Sequence, residues 1–209
     1  MISFVNDYSE GACDEILRAM IETNHTQTPG YGLDAHCEQA AELIRKACGT
    51  RKADVHFLVG GTQCNKTLIA AALRPHEAVI CADTGHINVH ETGAVENSGH
   101  KVIALRADDG KVRCADIEQA VKKHTDEHMV KPAMVYISNA TEIGTIYHKE
   151  ELKQIAEVCR EFGLYLFMDG ARMGAALAAK DNDVSFNDLC TYCDVFYLGG
   201  TKNGALFGE

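Results

Sequence analysis

The sequence predicts a three-layer α/β fold, αβα, with a mostly parallel sheet. Two observations carry this prediction: short strands that are almost continuously apolar, and helical patterns that separate them. Strands of this kind are typical of parallel sheets that are buried on both faces. The 209 residues also contain only three prolines and show no repeat, linker or charge block. We therefore expect one continuous large domain over residues 1–209, with an N-terminal arm at about 1–33.

The predicted strands are short runs rich in β-branched and aromatic residues. They cover residues 54–59, 78–82, 101–105, 133–138, 164–168 and 194–198. The predicted helices repeat apolar residues at helical spacing, and two of them end at a glycine, Gly49 or Gly163. They cover residues 12–23, 35–48, 62–73, 114–123 and 149–162.

The charge balance excludes two broad classes of partner. Lys and Arg number 20 against 30 Asp and Glu, which gives a formal charge of −10 and a pI near 5.4. This sign is wrong for binding nucleic acid or an anionic membrane surface. The longest apolar runs, such as residues 68–73, are far shorter than the roughly 20 residues that span a bilayer. We expect neither nucleic acid nor a membrane as a partner.

The cysteines and the first residues indicate the cytoplasm. Nine scattered cysteines, an odd number, favour reduced thiols over a disulfide framework. The first ten residues lack the basic and apolar regions of a secretory signal. Cys190 and Cys193 form a CxxC pair, but no second CxxC or nearby histidine pair accompanies them, so we predict no metal there.

The residues that follow strands are the candidates for function, because ligands bind at the carboxyl ends of parallel strands. Residues 60–63, Gly-Gly-Thr-Gln, follow one predicted strand and open a helix. Backbone N–H groups at such a point bind phosphate, and glycines allow close approach. Thr62 either donates its hydroxyl to the anion or only caps the helix. The pattern is neither GxxxxGK[ST] nor GxGxxG, which disfavours nucleotide cofactors.

Two further strand ends place a carboxylate and an amine after apolar runs. Residues 164–168 lead into Asp169, and Arg172 follows it closely. In a structural role Asp169 pairs with Arg172 or caps the following turn. In a functional role it binds a protonated ring nitrogen, which leaves Arg172 free to bind a carboxylate. Lys202 follows Gly-Gly-Thr after the last predicted strand. Burial there would lower its pKa and make the amine a nucleophile for carbonyl groups.

A phosphate site, a buried aspartate and a buried lysine are the three contacts that pyridoxal 5′-phosphate needs. With these motifs the chain resembles the threonine aldolase and β-eliminating lyase family of fold-type-I pyridoxal-phosphate enzymes. The matching motifs are Asn6-Asp7-Tyr8, residues 29–34 (PGYGLD), 61–65 (GTQCN), 86–93 (HINVHETG), 169–172 (DGAR) and Lys202.

The resemblance implies a cofactor site and a fold. Lys202 would bond to the cofactor aldehyde, Asp169 would pair with the pyridine nitrogen, and Gly61, Thr62 and Gln63 would hold the phosphate. The chain would form the large domain of the aminotransferase-like fold. Family members continue beyond the lysine into a small C-terminal domain, which we expect to be missing from these 209 residues.

The resemblance also implies how a substrate is bound and cleaved. His86 would stack on the cofactor ring, and Arg172 would bind the substrate carboxylate or cofactor oxygens, with Asn6 near the substrate. His86 or His128 would take the proton of the β-hydroxyl group. Members usually form homodimers or homotetramers, in which Tyr31 would serve the other subunit.

The implied reaction is retro-aldol cleavage of L-threonine or L-allo-threonine to glycine and acetaldehyde. A β-eliminating relative would instead lose a leaving group from Cβ, and the residues alone do not separate the two. A chain that keeps only the fold, without catalysis, is a further alternative. His86 and His90 beside Glu91 also resemble a metal-site pattern, but no third ligand is evident and we predict no metal.

Overall fold

The structure is a computed structural model that describes residues 3–209, so the first two residues of the predicted arm lie outside the described residues. The strands are β1 (Glu77–Ala82), β2 (Lys101–Leu105), β3 (Lys131–Ser138), β4 (Tyr165–Asp169) and β5 (Val195–Phe196). The helices are α1 (Asp14–Thr23), α2 (Ala35–Ala47), α3 (Gly61–Ala72), α4 (His86–Val89), α5 (Ala94–Asn97), α6 (Cys114–Lys123), α7 (Lys149–Phe162), α8 (Met173–Leu177) and α9 (Phe186–Tyr192).

The five strands form one parallel sheet in the order β2-β1-β3-β4-β5. This confirms the predicted parallel sheet. Because all strands run the same way, their carboxyl ends lie at one edge. In sheets of this order ligands bind beyond that edge, near the point where the strand order reverses between β1 and β3.

Helices cover both faces of the sheet, which confirms the predicted three layers. Neighbouring residues of β1 point to opposite faces, as side chains along a strand do. Val79 packs in the cluster that contains Ile69 of α3. Ile80 packs in the cluster that contains Ile117 of α6 and Ile155 of α7. Both strand residues are completely buried.

The predicted helices match the observed ones closely. Residues 114–123 and 149–162 coincide with α6 and α7, and the other three predicted helices differ by one or two residues at an end. Helix α7 has strong end signals: His148 and Glu151 form a capping box, and Gly163 ends the helix with a φ of 65°.

Two of the predicted strands differ substantially from the observed ones, and three others differ by one or two residues at one or both ends. Residues 54–59 form no strand of the sheet. Instead Leu58 and Glu209 exchange two backbone hydrogen bonds, with N···O distances of 2.9 and 3.0 Å, and the Gly208 N–H donates to the Val59 carbonyl at 3.1 Å. These contacts do not extend into a strand. The strand predicted at 194–198 is reduced to the two residues of β5. The short helices α4, α5, α8 and α9 had no prediction, because segments of four to seven residues show no clear helical period.

The N-terminal segment, which we define as residues 3–59, contributes little to the core. Helix α1 has no buried residue, and α2 buries one, Ala41. Large apolar side chains are exposed there, including Phe4, Ile21 and Leu33. Across residues 3–209, the helices are too short or too polar to cross a membrane.

Candidate active site

Helix α3 begins with backbone N–H groups that no side chain caps within residues 3–209. Its N-cap is Gly60, whereas Asp34 caps α2 by accepting from the backbone N–H groups of His36 and Cys37, both at 2.9 Å. A depression of about 580 Å³ lies at this end of α3 and is lined by residues 59–63. Uncapped N–H groups and the helix dipole favour an anion at this position.

Gly61 is needed at the start of α3 because Tyr197 approaches it closely. A Cβ atom at this position would lie 2.8 Å from the Tyr197 hydroxyl oxygen, closer than side chains tolerate. Thr62 is exposed at the depression. Gln63 turns its side chain back, and its Oε1 accepts from the Val59 N–H at 3.0 Å. The backbone of this turn is therefore better placed for an anion than the Gln63 side chain.

Asp169, the last residue of β4, is 4% exposed. Its Oδ2 accepts from the Tyr136 hydroxyl at 2.5 Å and from Asn65 Nδ2 at 3.2 Å, and its Oδ1 accepts from the Ala171 N–H at 2.9 Å. Burial, together with the charge of Asp169, raises the pKa of both Tyr136 and Tyr197, so both hydroxyls stay protonated. These donors are neutral, so a buried carboxylate at this position favours a cation as a further partner.

Lys202 and Arg172 both face the carboxylate of Asp7. Arg172 Nε and Nη2 lie 2.5 and 3.3 Å from the two Asp7 oxygens, and Lys202 Nζ lies 3.9 Å from Asp7 Oδ1. Arg172 therefore pairs with Asp7 and not with Asp169. The alternative in which Asp169 and Arg172 form a structural ion pair is wrong. Burial, followed by the charge of Arg172, lowers the pKa of Lys202. A lowered pKa favours the neutral amine, which is the nucleophilic form.

Two carboxylates hold His86 at the start of α4. Its Nδ1 lies 2.9 Å from Glu91 Oε1, and its backbone N–H donates to Glu142 Oε1 at 3.0 Å. Glu91 Oε1 also accepts from Asn65 Nδ2 at 2.7 Å. Because Asn65 donates to Asp169 as well, a hydrogen-bonded chain connects His86 to Asp169.

Three predicted site residues make no hydrogen bond to the other predicted site residues within residues 3–209. His128 lies in the exposed turn before β3. The candidate site lies beyond the other end of β3, and an eight-residue strand spans about 26 Å, so His128 cannot act as the base of its own chain's site. Tyr31 is fully exposed. Asn6 Oδ1 accepts from the Tyr8 N–H at 3.0 Å and the Ser9 hydroxyl at 2.7 Å, and so shapes the arm next to Asp7.

The side-chain positions give little support to the two metal-site patterns noted in the sequence, His86 with His90 and Cys190 with Cys193. The His86 and His90 rings have centroids 5.5 Å apart. Within residues 3–209, three potential ligand atoms lie within reach of one another only at residues 126–128, all of which are exposed. Cys190 and Cys193 are free thiols, and burial raises the pKa of Cys193. A raised pKa disfavours the thiolate form of Cys193, which is the nucleophilic form.

The polar partners of Asp169 and His86 were not predicted from the sequence. They are the side chains of Asn65, Glu91, Tyr136, Glu142 and Tyr197. One signal could have found the two tyrosines: each carries a hydroxyl inside an apolar strand, and a buried hydroxyl needs a partner. Asn65 and Glu91 lie on helices or loops, where nothing in the local pattern indicates burial.

This edge of the sheet combines three chemical properties. It offers an anion site at α3, a buried carboxylate suited to a cation, and a lysine amine with a lowered pKa that lies within electrostatic reach of Asp169. Pyridoxal phosphate carries a phosphate, a basic ring nitrogen and an aldehyde. The residues of this edge therefore fit that cofactor.

Comparisons with known proteins give one family. A model of the beta-eliminating lyase family matches residues 4–206. A low specificity L-threonine aldolase of Pseudomonas sp. is 36% identical over 208 residues, which cover 99% of this chain and 60% of the relative. A solved structure of Leishmania major threonine aldolase is 52% identical with a TM-score of 0.99, and the match covers 100% of this chain and 61% of that one.

More distant structures share the fold. An archaeal alanine:glyoxylate aminotransferase is 19% identical with a TM-score of 0.69, over 93% of this chain and 50% of that one. At this identity the likeness concerns the fold alone. The chain spans about 60% of the length of the Pseudomonas aldolases that it matches.

Proposed function

This chain belongs to the beta-eliminating lyase family, and on that premise we propose that the protein is a pyridoxal-phosphate-dependent aldehyde-lyase. Its substrate is a β-hydroxy amino acid, L-threonine or L-allo-threonine, which it cleaves between Cα and Cβ to glycine and an aldehyde. One observation carries this proposal. The N-terminus of α3, which no side chain caps within residues 3–209, lies at the same edge of the sheet as Asp169 and Lys202. Relatives named threonine aldolases favour this reaction over β-elimination.

We assign the large, cofactor-binding domain to residues 1–209. The backbone N–H groups of Gly61 and Thr62 and the Thr62 hydroxyl group would hold the phosphate, and the Lys202 amine would hold the aldehyde end of the cofactor. Asp169 would hold a proton at the ring nitrogen, and its neutral donors fix the orientation of the carboxylate. When bound, pyridoxal phosphate supplies an electron-withdrawing ring that stabilises negative charge on the substrate Cα.

Arg172 binds the substrate carboxylate. Asp7 accepts from Nε and Nη2, which fixes the plane of the guanidinium group, while Nη1 makes no hydrogen bond to residues 3–209. A carboxylate can therefore bind along the remaining edge with two parallel hydrogen bonds. This contact sets the orientation of Cα and so the position of the Cα–Cβ bond.

His86 takes the proton of the β-hydroxyl group. As that proton leaves, the O–H electron pair forms the aldehyde C=O bond, the Cα–Cβ bond breaks, and its electron pair remains on Cα. Return of a proton from His86 to Cα then gives glycine and restores the base, so no proton is gained or lost overall. A positioned base of this kind contributes about 10²- to 10⁴-fold to the rate.

We further propose a homodimer or homotetramer in the cytoplasm. The exposed apolar residues of the N-terminal segment support association, since Tyr31 and Leu33 are 102% and 78% exposed. The free state of all nine cysteines is typical of a reducing compartment. Light scattering on the purified protein tests the association directly.

The test of the cofactor site is chemical labelling. The protein is incubated with pyridoxal phosphate, reduced with borohydride and digested, and the labelled peptide is located by mass. We expect the label on Lys202, its loss in Lys202→Ala, and no loss in Lys180→Ala, which removes an exposed lysine. A folded protein that takes no label, or takes it elsewhere, would contradict the proposal.

The reaction is tested by its products. Release of aldehyde and glycine from L-threonine or L-allo-threonine is the expected result. Loss of a leaving group from Cβ without aldehyde would indicate β-elimination instead. A protein labelled at Lys202 that releases neither product would favour the non-catalytic alternative.

A further inference from the structure

Glu91 is a buried carboxylate that none of the three cofactor contacts explains. Its side chain is 0% exposed. Oε1 lies 2.9 Å from His86 Nδ1 and 2.7 Å from Asn65 Nδ2, whereas Oε2 is buried without a partner in residues 3–209. Burying a carboxylate is costly unless it is well hydrogen-bonded, so the position of Glu91 calls for a physical reason.

The orientation of the Asn65 amide follows from its two neighbours. Nδ2 lies 2.7 Å from Glu91 Oε1 and 3.2 Å from Asp169 Oδ2. Carboxylate oxygens accept hydrogen bonds, and only the NH₂ end of the amide can donate to both. A reversed amide would place its oxygen against two acceptors. Asn65 therefore already donates one hydrogen bond to Glu91 Oε1.

The same count of hydrogen-bond donors and acceptors indicates which nitrogen of His86 carries the proton. An ionised Glu91 only accepts, so the hydrogen between it and His86 belongs to Nδ1. A proton on Glu91 Oε2 would be a buried O–H group without an acceptor in the described chain. A proton on Oε1 would compete with the Asn65 N–H for the same oxygen. The ionised carboxylate with His86 Nδ1–H is thus the arrangement that satisfies most donors.

We infer that Glu91 is a positioning residue that holds His86 in the Nδ1–H tautomer, which makes Nε2 the atom that accepts the substrate proton. In a neutral imidazole the lone pair then lies on Nε2. The His86 side chain is 27% exposed, so it is not sealed from the site. The catalytic half of this inference rests on the proposed function, whereas the tautomer rests on the Glu91 contact alone.

The tautomer is read directly by NMR. Protein labelled with ¹⁵N-histidine is examined by long-range ¹H–¹⁵N correlation at alkaline pH, where imidazoles are neutral. We expect His86 to be protonated at Nδ1 in the wild-type chain. We expect the same in Glu91→Gln, whose amide oxygen still accepts, and a shift to Nε2–H in Glu91→Leu. The control is Glu96→Leu, which removes an exposed carboxylate nearby and leaves the His86 signals unchanged.

The wild-type measurement decides the matter even if Glu91→Leu does not fold. His86 found as the Nε2–H tautomer in the wild-type chain would overturn the inference. So would a folded Glu91→Leu protein that keeps Nδ1–H.

Turnover provides the second readout. In Glu91→Leu we expect kcat for aldehyde release to fall about 10²-fold, with labelling of Lys202 retained and with most of the rate recovered in Glu91→Gln. An unchanged kcat in Glu91→Leu would overturn the catalytic half of the inference. A wild-type protein that shows the Nδ1–H tautomer but releases no aldehyde would contradict the proposed function and leave the tautomer assignment intact.

Discussion

The sheet body, residues 60–198, buries its apolar side chains, whereas the N-terminal segment exposes them. Phe167 in the body is 0% exposed, while Ile21 and Leu33 in the segment are 74% and 78% exposed. Burial of apolar surface is the main favourable contribution to folding. The body therefore stabilises its own fold by burial, whereas the segment contributes little buried apolar surface.

The largest contrast is expected from matched truncations in the two regions. Phe167→Ala leaves a cavity in the core and should lower the free energy of unfolding by about 3–5 kcal/mol. Ile21→Ala removes an exposed side chain and should change it by less than about 0.5 kcal/mol. Both are measured by urea denaturation at several protein concentrations. A large loss for Ile21→Ala that depends on concentration would instead place Ile21 in an interface between copies.

An ion pair of the body gives the next largest effect. Lys111 Nζ lies 2.6 Å from Glu151 Oε1, and the side chains are 11% and 28% exposed. Glu151→Gln leaves Lys111 without its charged partner in a nearly buried position, and should cost about 1–3 kcal/mol of unfolding free energy at neutral pH.

The cost of Glu151→Gln should depend on pH. Burial opposes ionisation of Glu151, but hydrogen bonds from the His148 backbone and Lys111 outweigh it and lower the pKa from the ordinary value of 4.5. Ionised Glu151 therefore stabilises the fold fully above pH 4.5, and this contribution is lost as the pH falls through the lowered pKa. Denaturation curves of both proteins should converge in acid. A gap that stays constant to low pH would contradict this assignment.

The two regions also differ in how well the sequence predicts them. In the body, apolar runs and helix-end signals were sufficient for β1 to β4, α6 and α7, because those elements bury regular patterns. Residues 54–59 have the composition of a strand but form none, because pairing depends on a neighbour that local pattern does not specify. The site shows the same limit. Asp169 and Lys202 were predicted from the residues that precede them, whereas the hydrogen bonds of Asn65 to Glu91 and Asp169 join residues 26 and 104 positions apart, which local pattern does not specify.

The N-termini of α2, in the N-terminal segment, and α3, in the sheet body, allow the two regions to be compared at single residues. Asp34 caps α2, so Asp34→Ala should lower the thermal midpoint of unfolding, by less than Glu151→Gln does, because the cap is exposed. Thr62→Ala, in the uncapped first turn of α3, removes the hydroxyl group that we propose as a phosphate donor, so it should leave that midpoint unchanged and weaken binding of pyridoxal phosphate. Calorimetry and a cofactor titration measure the two effects. A lower midpoint in Thr62→Ala without loss of cofactor binding would identify Thr62 as a structural residue.

The smallest effect on stability is expected where the two regions meet, at Asp7. This carboxylate of the segment contacts Arg172 and Lys202 of the site, but it is too exposed to stabilise the fold strongly. Its electrostatic effect on Lys202 should still be measurable. Asp7 raises the pKa of Lys202, whereas Arg172 lowers it, and burial lowers it most.

Neutral variants at the two positions should therefore shift the reactivity of Lys202 in opposite directions. The rate at which an amine reagent labels Lys202 is followed against pH, with the labelled peptide resolved by mass. Asp7→Asn should move the profile to lower pH, since it removes a negative charge, and Arg172→Gln should move it to higher pH. Shifts in the same direction would mean that both variants act by changing the burial of Lys202, and the segment would then influence the site through packing rather than charge.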